Sequence, residues 1–228
     1  MSLAMLMQQG LARARVVSRA VVLVGLLVSL LGFSGCISYS GNARPINAAR
    51  LAAEPGWIVA MAPTVRQQNR NDCGIAALAM VVGHWQVALS RAQILAEVAP
   101  LTERGVALGA LRDVATKYGL LAFVVIAQRS DLTHEIAAGR PVVVGLLRPH
   151  GNERQSHFEV VVALHAGRGL VTTIDPGSGL QVRNWRDFEA EWQPAGHPAL
   201  VVLGPAVAAG STAATTPATA PAPATAVP

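Results

Sequence analysis

Residues 67–85 read QQNRNDCGIAALAMVVGHW. From Cys73 to Val82 every residue is apolar or small, and Gly83-His84-Trp85 closes the run. Asn71 or Asp72 stands where a helix N-cap belongs, and the apolar residues behind it recur at helical spacing. The helix therefore opens at Cys73. A helix N-terminus presents unpaired N–H groups and partial positive charge, which favour a thiolate over a thiol. A free cysteine also packs as a small hydrophobe, so the residue alone reads equally as a buried structural thiol.

Downstream, Ser90 caps a second helix, RAQILAEVA, which ends before Pro100, and ALGALRDVATKYG makes a third with Gly119 at its C-terminal cap. LLAFVVIA is short, apolar and β-branched, and reads as a strand. SDLTHEIAAG is a short capped helix, followed by three strand-like runs, PVVVGLL, HFEVVVALH and GLVTTID. NWRDFEAEW reads as a brief amphipathic helix, with Trp185 and Trp192 on the face that packs against the sheet, and PALVVLG as a last strand. Helices first and strands later predict an α+β domain, with N-terminal helices packed on a largely antiparallel sheet.

Both ends read differently from this domain, which spans residues 63–204. Arg13, Arg15 and Arg19 precede Ala20–Phe33, an uncharged apolar stretch of 14 residues. That is short for a membrane span and suits the hydrophobic region of a secretory signal. Ser34-Gly35-Cys36 then resembles a bacterial lipoprotein signal over residues 1–36, in which Cys36 would be lipidated. An uncleaved signal anchor over Val16–Phe33 is the alternative. Either places the domain in the bacterial cell envelope, membrane-anchored and facing the periplasm; Ile37 after Cys36 favours the outer membrane. Residues 37–62 read as a linker. Residues 205–228, rich in Ala, Pro and Thr, read as a disordered tail.

Charge and cysteine count remove several classes. The net charge is +5, but without the three N-terminal arginines 15 basic residues face 13 acidic ones. No basic cluster follows, so a nucleic-acid partner is not expected. Two cysteines do not make a disulfide scaffold. No Cys/His set stands at metal-ligand spacing, so neither a metal nor another cofactor is expected. With Cys36 consumed by lipid, Cys73 is a lone thiol in an oxidising compartment, which calls for explanation. A thiolate nucleophile needs a base, an orienter for the base, and oxyanion donors. His157 opens an apolar strand, and Asp175 ends the next one. Gln67 lies on the loop approaching Cys73, where its amide could join the Cys73 N–H as a second oxyanion donor. Each has a bland alternative: a core histidine, an Asp-Pro-Gly turn, and a choice between Gln67 and Gln68.

Together these stretches resemble a known family. QQNRNDCGIAALAMVVGHW is similar to the signature of the bacteriocin-processing, double-glycine leader peptidases: a Gln, four residues, then Asp-Cys-Gly. HFEVVVAL resembles their His-bearing strand, IDPGSG their Asp-Pro turn, and GRPVVVGLL the strand before the His. The likeness covers residues 63–204. It implies a papain-like fold, with Cys73 as nucleophile, His157 as base, Asp175 as orienter and Gln67 as the oxyanion glutamine, Gln68 being one residue out of register. It implies peptide or protein substrates, cut through an acyl-enzyme after Gly-Gly. Many relatives are fused to a transporter, so a separate transporter is an expected partner. A catalytically silent domain that binds peptides or export proteins is the runner-up, and acyl transfer to an amine is a third possibility.

Overall fold

The computed structural model describes residues 39–205, apart from Ala99 and Arg104. The expected signal over 1–36, its Cys36, and the tail beyond Pro205 lie outside the described residues. The chain divides into two compact units. Of the described residues, Tyr39–Arg148 and Gln155–Pro205 belong to one unit, which holds the elements below apart from the strand ends within Pro149–Arg154; that segment belongs to the other. Among the described residues no helix is long and apolar enough to cross a membrane.

The described elements begin with β1 (Arg44–Pro45), α1 (Ala48–Ala53) and β2 (Trp57–Val59). Next come α2 (Cys73–His84), α3 (Arg91–Val98), α4 (Leu108–Lys117), β3 (Leu120–Ile126) and α5 (Arg129–Ala137). Then follow β4 (Val142–His150), β5 (Glu153–His165), β6 (Leu170–Asp175), β7 (Gly179–Asn184), α6 (Trp185–Trp192) and β8 (Pro198–Pro205). The strands form a sheet in the order β1-β7-β6-β5-β4-β8-β3, with β2 added to β5. The registers of β1 on β7, β2 on β5, β3 and β4 on β8, and β6 on both β5 and β7 are antiparallel.

The α+β expectation holds, with helices on both faces of the sheet. Residues of α2, α3 and α4 share one core cluster with Val143, Val160 and Ile174. Leu132 and Ile136 of α5 and Phe188 and Trp192 of α6 share the other with Val142, Val144 and Val161. Successive strand residues point to opposite faces. A strand covered on both sides is therefore apolar without alternation, which is why PVVVGLL and VVVAL read as unbroken runs.

The stretch expected to be a linker is instead part of the fold. Arg44 and Pro45 pair with Val182 and Gln181. Asn47 caps α1 through a 2.8 Å bond to the Ala49 N–H, and Leu51 is buried. Trp57 pairs with His165 at the far end of β5. These elements are two, six and three residues long, too short to carry a period, and they hold through partners distant in sequence. Pro205, expected to open the tail, is instead the last residue of β8.

Candidate active site

Helix α2 is buried from Cys73 through Val82, so its N-terminus opens inside the molecule. Asp72 occupies the N-cap position, but its side chain makes no capping bond. Its Oδ2 turns back to accept from the N–H groups of Gln68 at 3.2 Å and Asn69 at 3.1 Å, and pairs with Arg91. A buried carboxylate is better satisfied by a guanidinium and two amides than by one helix amide. The first-turn N–H groups of α2 are thereby left to other partners. Cys73 is 6% exposed and unpaired with any other cysteine among the described residues. Its sulfur accepts from the backbone N–H groups of Phe158 and Gly74. Burial raises the thiol above its ordinary value, against the pull of those two hydrogen bonds, and the charges of Asp72 and Asp175 add to the rise. Burial thus opposes the thiolate that helix position alone favours.

Gly74 lets strand and helix meet. A Cβ there would stand 2.7 Å from Val106 Cγ1 and 2.9 Å from Phe158 Cδ2. Phe158 is the neighbour of His157, so this contact sets the histidine strand against the start of α2.

Strand register brings the next two groups together. Val160 is opposite Ile174, which puts Glu159 across from Asp175 and His157 diagonal to it on the same face. His157 Nε2 lies 2.9 Å from Asp175 Oδ1, leaving Nδ1 free of the carboxylate. Both residues are buried, at 4% and 1% exposure. Burial lowers the imidazole's proton affinity, the Asp175 hydrogen bond opposes this, and the Arg148 charge reinforces it. For Asp175, burial works upwards, but the His157 hydrogen bond, the Arg148 and His157 charges and the Tyr39 hydroxyl hold the carboxyl far below its ordinary range.

The Asp175 carboxylate is surrounded by donors. Oδ1 also accepts from the Gly177 N–H at 2.7 Å, while Oδ2 accepts from Arg148 Nη1 at 2.9 Å and from the Tyr39 hydroxyl. A buried charge network stands behind it. Arg148 pairs with Glu159, Arg183 Nη2 donates to Glu159 at 2.8 Å, and Arg183 Nη1 donates to Glu191 at 2.6 Å. Arg148 Nε lies 3.6 Å from Glu191. Glu159 is fully buried, where it supplies the counter-charge of the two arginines. Two guanidinium groups face the three carboxylates of Asp175, Glu159 and Glu191, a balance of −1 beside the imidazole.

Gln67 and Gln68 are separated by their partners. Gln67 donates its backbone N–H to Pro176 O at 3.1 Å, and its buried side-chain Oε1 has no partner among the described residues. Arg66 clamps the same turn through a 2.5 Å bond to Gly177 O. Gln68 instead accepts from Arg91 at 2.8 Å and is exposed. The loop before Cys73 is thus stitched to the Asp-Pro turn, with Gln67 on the site side.

The Peptidase C39 family profile matches residues 61–200, more than half of the sequence. The chain belongs to the peptidase C39 family. As a C39 member it is a cysteine-type peptidase. Its fold is similar to that of a double glycine motif protease from an AMS/PCAT transporter, crystallised with the leader peptide, at 19% identity and a TM-score of 0.52. That match covers 65% of this chain and 94% of the other. A second similar structure is a C39-like peptidase from Bacillus anthracis, at 16% identity and a TM-score of 0.54, covering 66% of this chain and 99% of that one. Among curated proteins there is no match.

One cluster in this C39 peptidase has ligand-type atoms close together: those of His157, Glu159 and Asp175 lie within 4.8 Å of one another. The set does not suit a cation, because Arg148 and Arg183 already engage both carboxylates. Sequence reasoning named Cys73, His157, Asp175 and Gln67, of which the structure hydrogen-bonds His157 to Asp175 and ties the Gln67 loop to the turn after Asp175. It missed Tyr39, Arg148, Arg183 and Glu191, none of which stands in a motif. The one available signal was charge at strand positions otherwise apolar, as in the GLLR run of β4.

Proposed function

We propose that this chain is a membrane-tethered peptidase that cleaves leader-type peptides after Gly-Gly, using Cys73, His157, Asp175 and Gln67. The observation that carries the reading is the buried His157–Asp175 pair, set by strand register beside the N-terminus of the Cys73 helix. In the proposed reaction Cys73 passes its proton to His157 Nδ1 and its sulfur attacks the scissile carbonyl carbon. The oxyanion accepts from the Gln67 side-chain amide and the Cys73 N–H, donors whose loss typically costs about 10²–10³ in rate each. Imidazolium then protonates the leaving amine, leaving a thioester on Cys73. His157 next takes a proton from water, the resulting hydroxide attacks the thioester, and Cys73 is released. Asp175 keeps the imidazole in one tautomer and orientation throughout.

The specificity reading leans on the double-glycine protease named above as a fold relative. A site that admits Gly-Gly needs no room for β-carbons beside the scissile bond. Membrane tethering is read from the N-terminal residues. With lipid on Cys36, only Ile37 and Ser38 would separate the anchor from Tyr39, which touches Asp175.

The test compares full-length wild type with Cys73→Ala on a peptide library containing Gly-Gly and other small-residue sites, read by mass spectrometry. Products from the wild type alone, ending in Gly-Gly, are expected. No product at all, with Cys73 inert to alkylation even at high pH, would replace the peptidase with the peptide-binding reading.

A further inference from the structure

The residues matched to the C39 family begin at 61, yet one of the groups that hold Asp175 comes from 22 residues earlier. Tyr39 donates its hydroxyl to Asp175 Oδ2. Its ring lies under the Arg148 guanidinium, 3.9 Å from ring centre to Cζ, with that of Arg183 at 5.3 Å. The segment around it is docked, residue after residue. The Ser40 N–H donates to Glu191, and the Asn42 N–H donates to Asp187 at 3.0 Å. Between them Gly41, at φ +73°, passes so close to the Asp187 carboxylate that a side chain would overlap it. This strap closes over a cluster holding two guanidiniums and three carboxylates, and it adds a neutral donor where a further charge would be costly.

We propose that Tyr39 is a positioning residue of the active site: with Arg148 it fixes Asp175 Oδ2, so that Oδ1 faces His157. The inference rests on the triad reading given above. The C39 domain proper supplies Cys73, His157 and Asp175; the strap upstream completes the seat of the carboxylate. Burial holds the Tyr39 hydroxyl in its protonated, donating form. Its contacts are Asp175, Arg148 and Arg183 rather than Cys73 or Gln67, so its loss should fall on turnover and not on substrate affinity. The hydroxyl also draws charge from Oδ2. Without it Asp175 is a stronger base and holds the His157 proton more tightly. The groups acting on this pair are Arg148 of β4, Glu159 of β5, Arg183 of β7, Glu191 of α6, Cys73 of α2 and Tyr39 itself.

The test uses the full-length chain as wild type, Cys73→Ala, Tyr39→Phe and Tyr39→Ala, on a Gly-Gly peptide. Tyr39→Phe keeps the ring on Arg148 and removes only the donor. It should lower kcat about tenfold at unchanged KM, in keeping with one lost hydrogen bond to a charged group. It should also move the acid limb of the kcat profile to higher pH; Tyr39→Ala should lose more. Wild-type kcat and profile in Tyr39→Phe would overturn the proposal. So would equal losses in both variants with a raised KM and a lower melting temperature, which would mark a merely structural role. If even the wild type gives no Cys73-dependent product, the peptidase reading fails by itself. The His157 imidazole N–H resonance in proton NMR then decides the positioning proposal, expected to shift in Tyr39→Phe and overturning it if unmoved.

Discussion

Cys73 and His157 are each driven by burial towards their neutral forms, the thiol upwards and the imidazole downwards. Burial thus favours thiol and neutral imidazole over a preformed ion pair, and in the proposed mechanism the proton transfer belongs to the reaction. The acid limb of kcat/KM should accordingly fall below the ordinary imidazole value of 6.5. Alkylation of Cys73 by iodoacetamide should be slow at neutral pH and still climb above pH 9.0, the thiol's ordinary value. Rates measured from pH 5 to 10 check both; a fully reactive thiol at neutral pH would mean that the pair is already ionised. Cys73, His157 and Asp175 were singled out in sequence by the motifs that resemble the leader peptidases, each residue by itself having a bland alternative. Their protonation was not, because it depends on burial and, for His157 and Asp175, on Arg148.

At the scale of elements, the site depends on how closely α2 approaches β5. Gly74→Ala would put a methyl 2.7 Å from Val106 and 2.9 Å from Phe158. Overpacking of this kind costs about 1–3 kcal/mol, and relief by moving Phe158 would drag His157 from its place. The expected result is a lower midpoint in urea unfolding, together with a loss of turnover larger than the loss of folded protein explains. Element type was readable from pattern for α2, β4, β5, β6 and α6, and Asn184 caps α6 through a 2.8 Å bond to the Asp187 N–H. The capping of α2 was not readable. Asp72 has the residue type of a cap, but Arg91 from the next helix takes its carboxylate, a competition that sequence spacing does not express.

For the whole molecule, the buried charges make stability depend on pH. Asp175 titrates far below its ordinary 3.8 in the fold, so the unfolded chain binds that proton first, and its contribution is intact above about pH 5 and lost as pH falls. His157, lowered from 6.5, acts in the same direction from higher pH, since the unfolded state is protonated before the fold. Melting temperature should decline on acidification first through the histidine range and then through the carboxylate range, and Asp175→Asn should remove the Asp175 contribution to the second decline. A second decline of wild-type size in that variant would assign it to other carboxylates. The sequence by itself determined the α+β class, the order of the principal elements and the motifs that resemble a cysteine peptidase, because helical and strand periods and motif residue types are local properties. Only the tertiary structure decided that residues 39–62 belong to the fold, that Glu159 is buried, that Gln67 rather than Gln68 faces the site, and that Tyr39 and Arg148 hold Asp175. Those outcomes rest on contacts between residues 11 to 151 positions apart, where neither spacing nor propensity carries information and complementary charge and packing do.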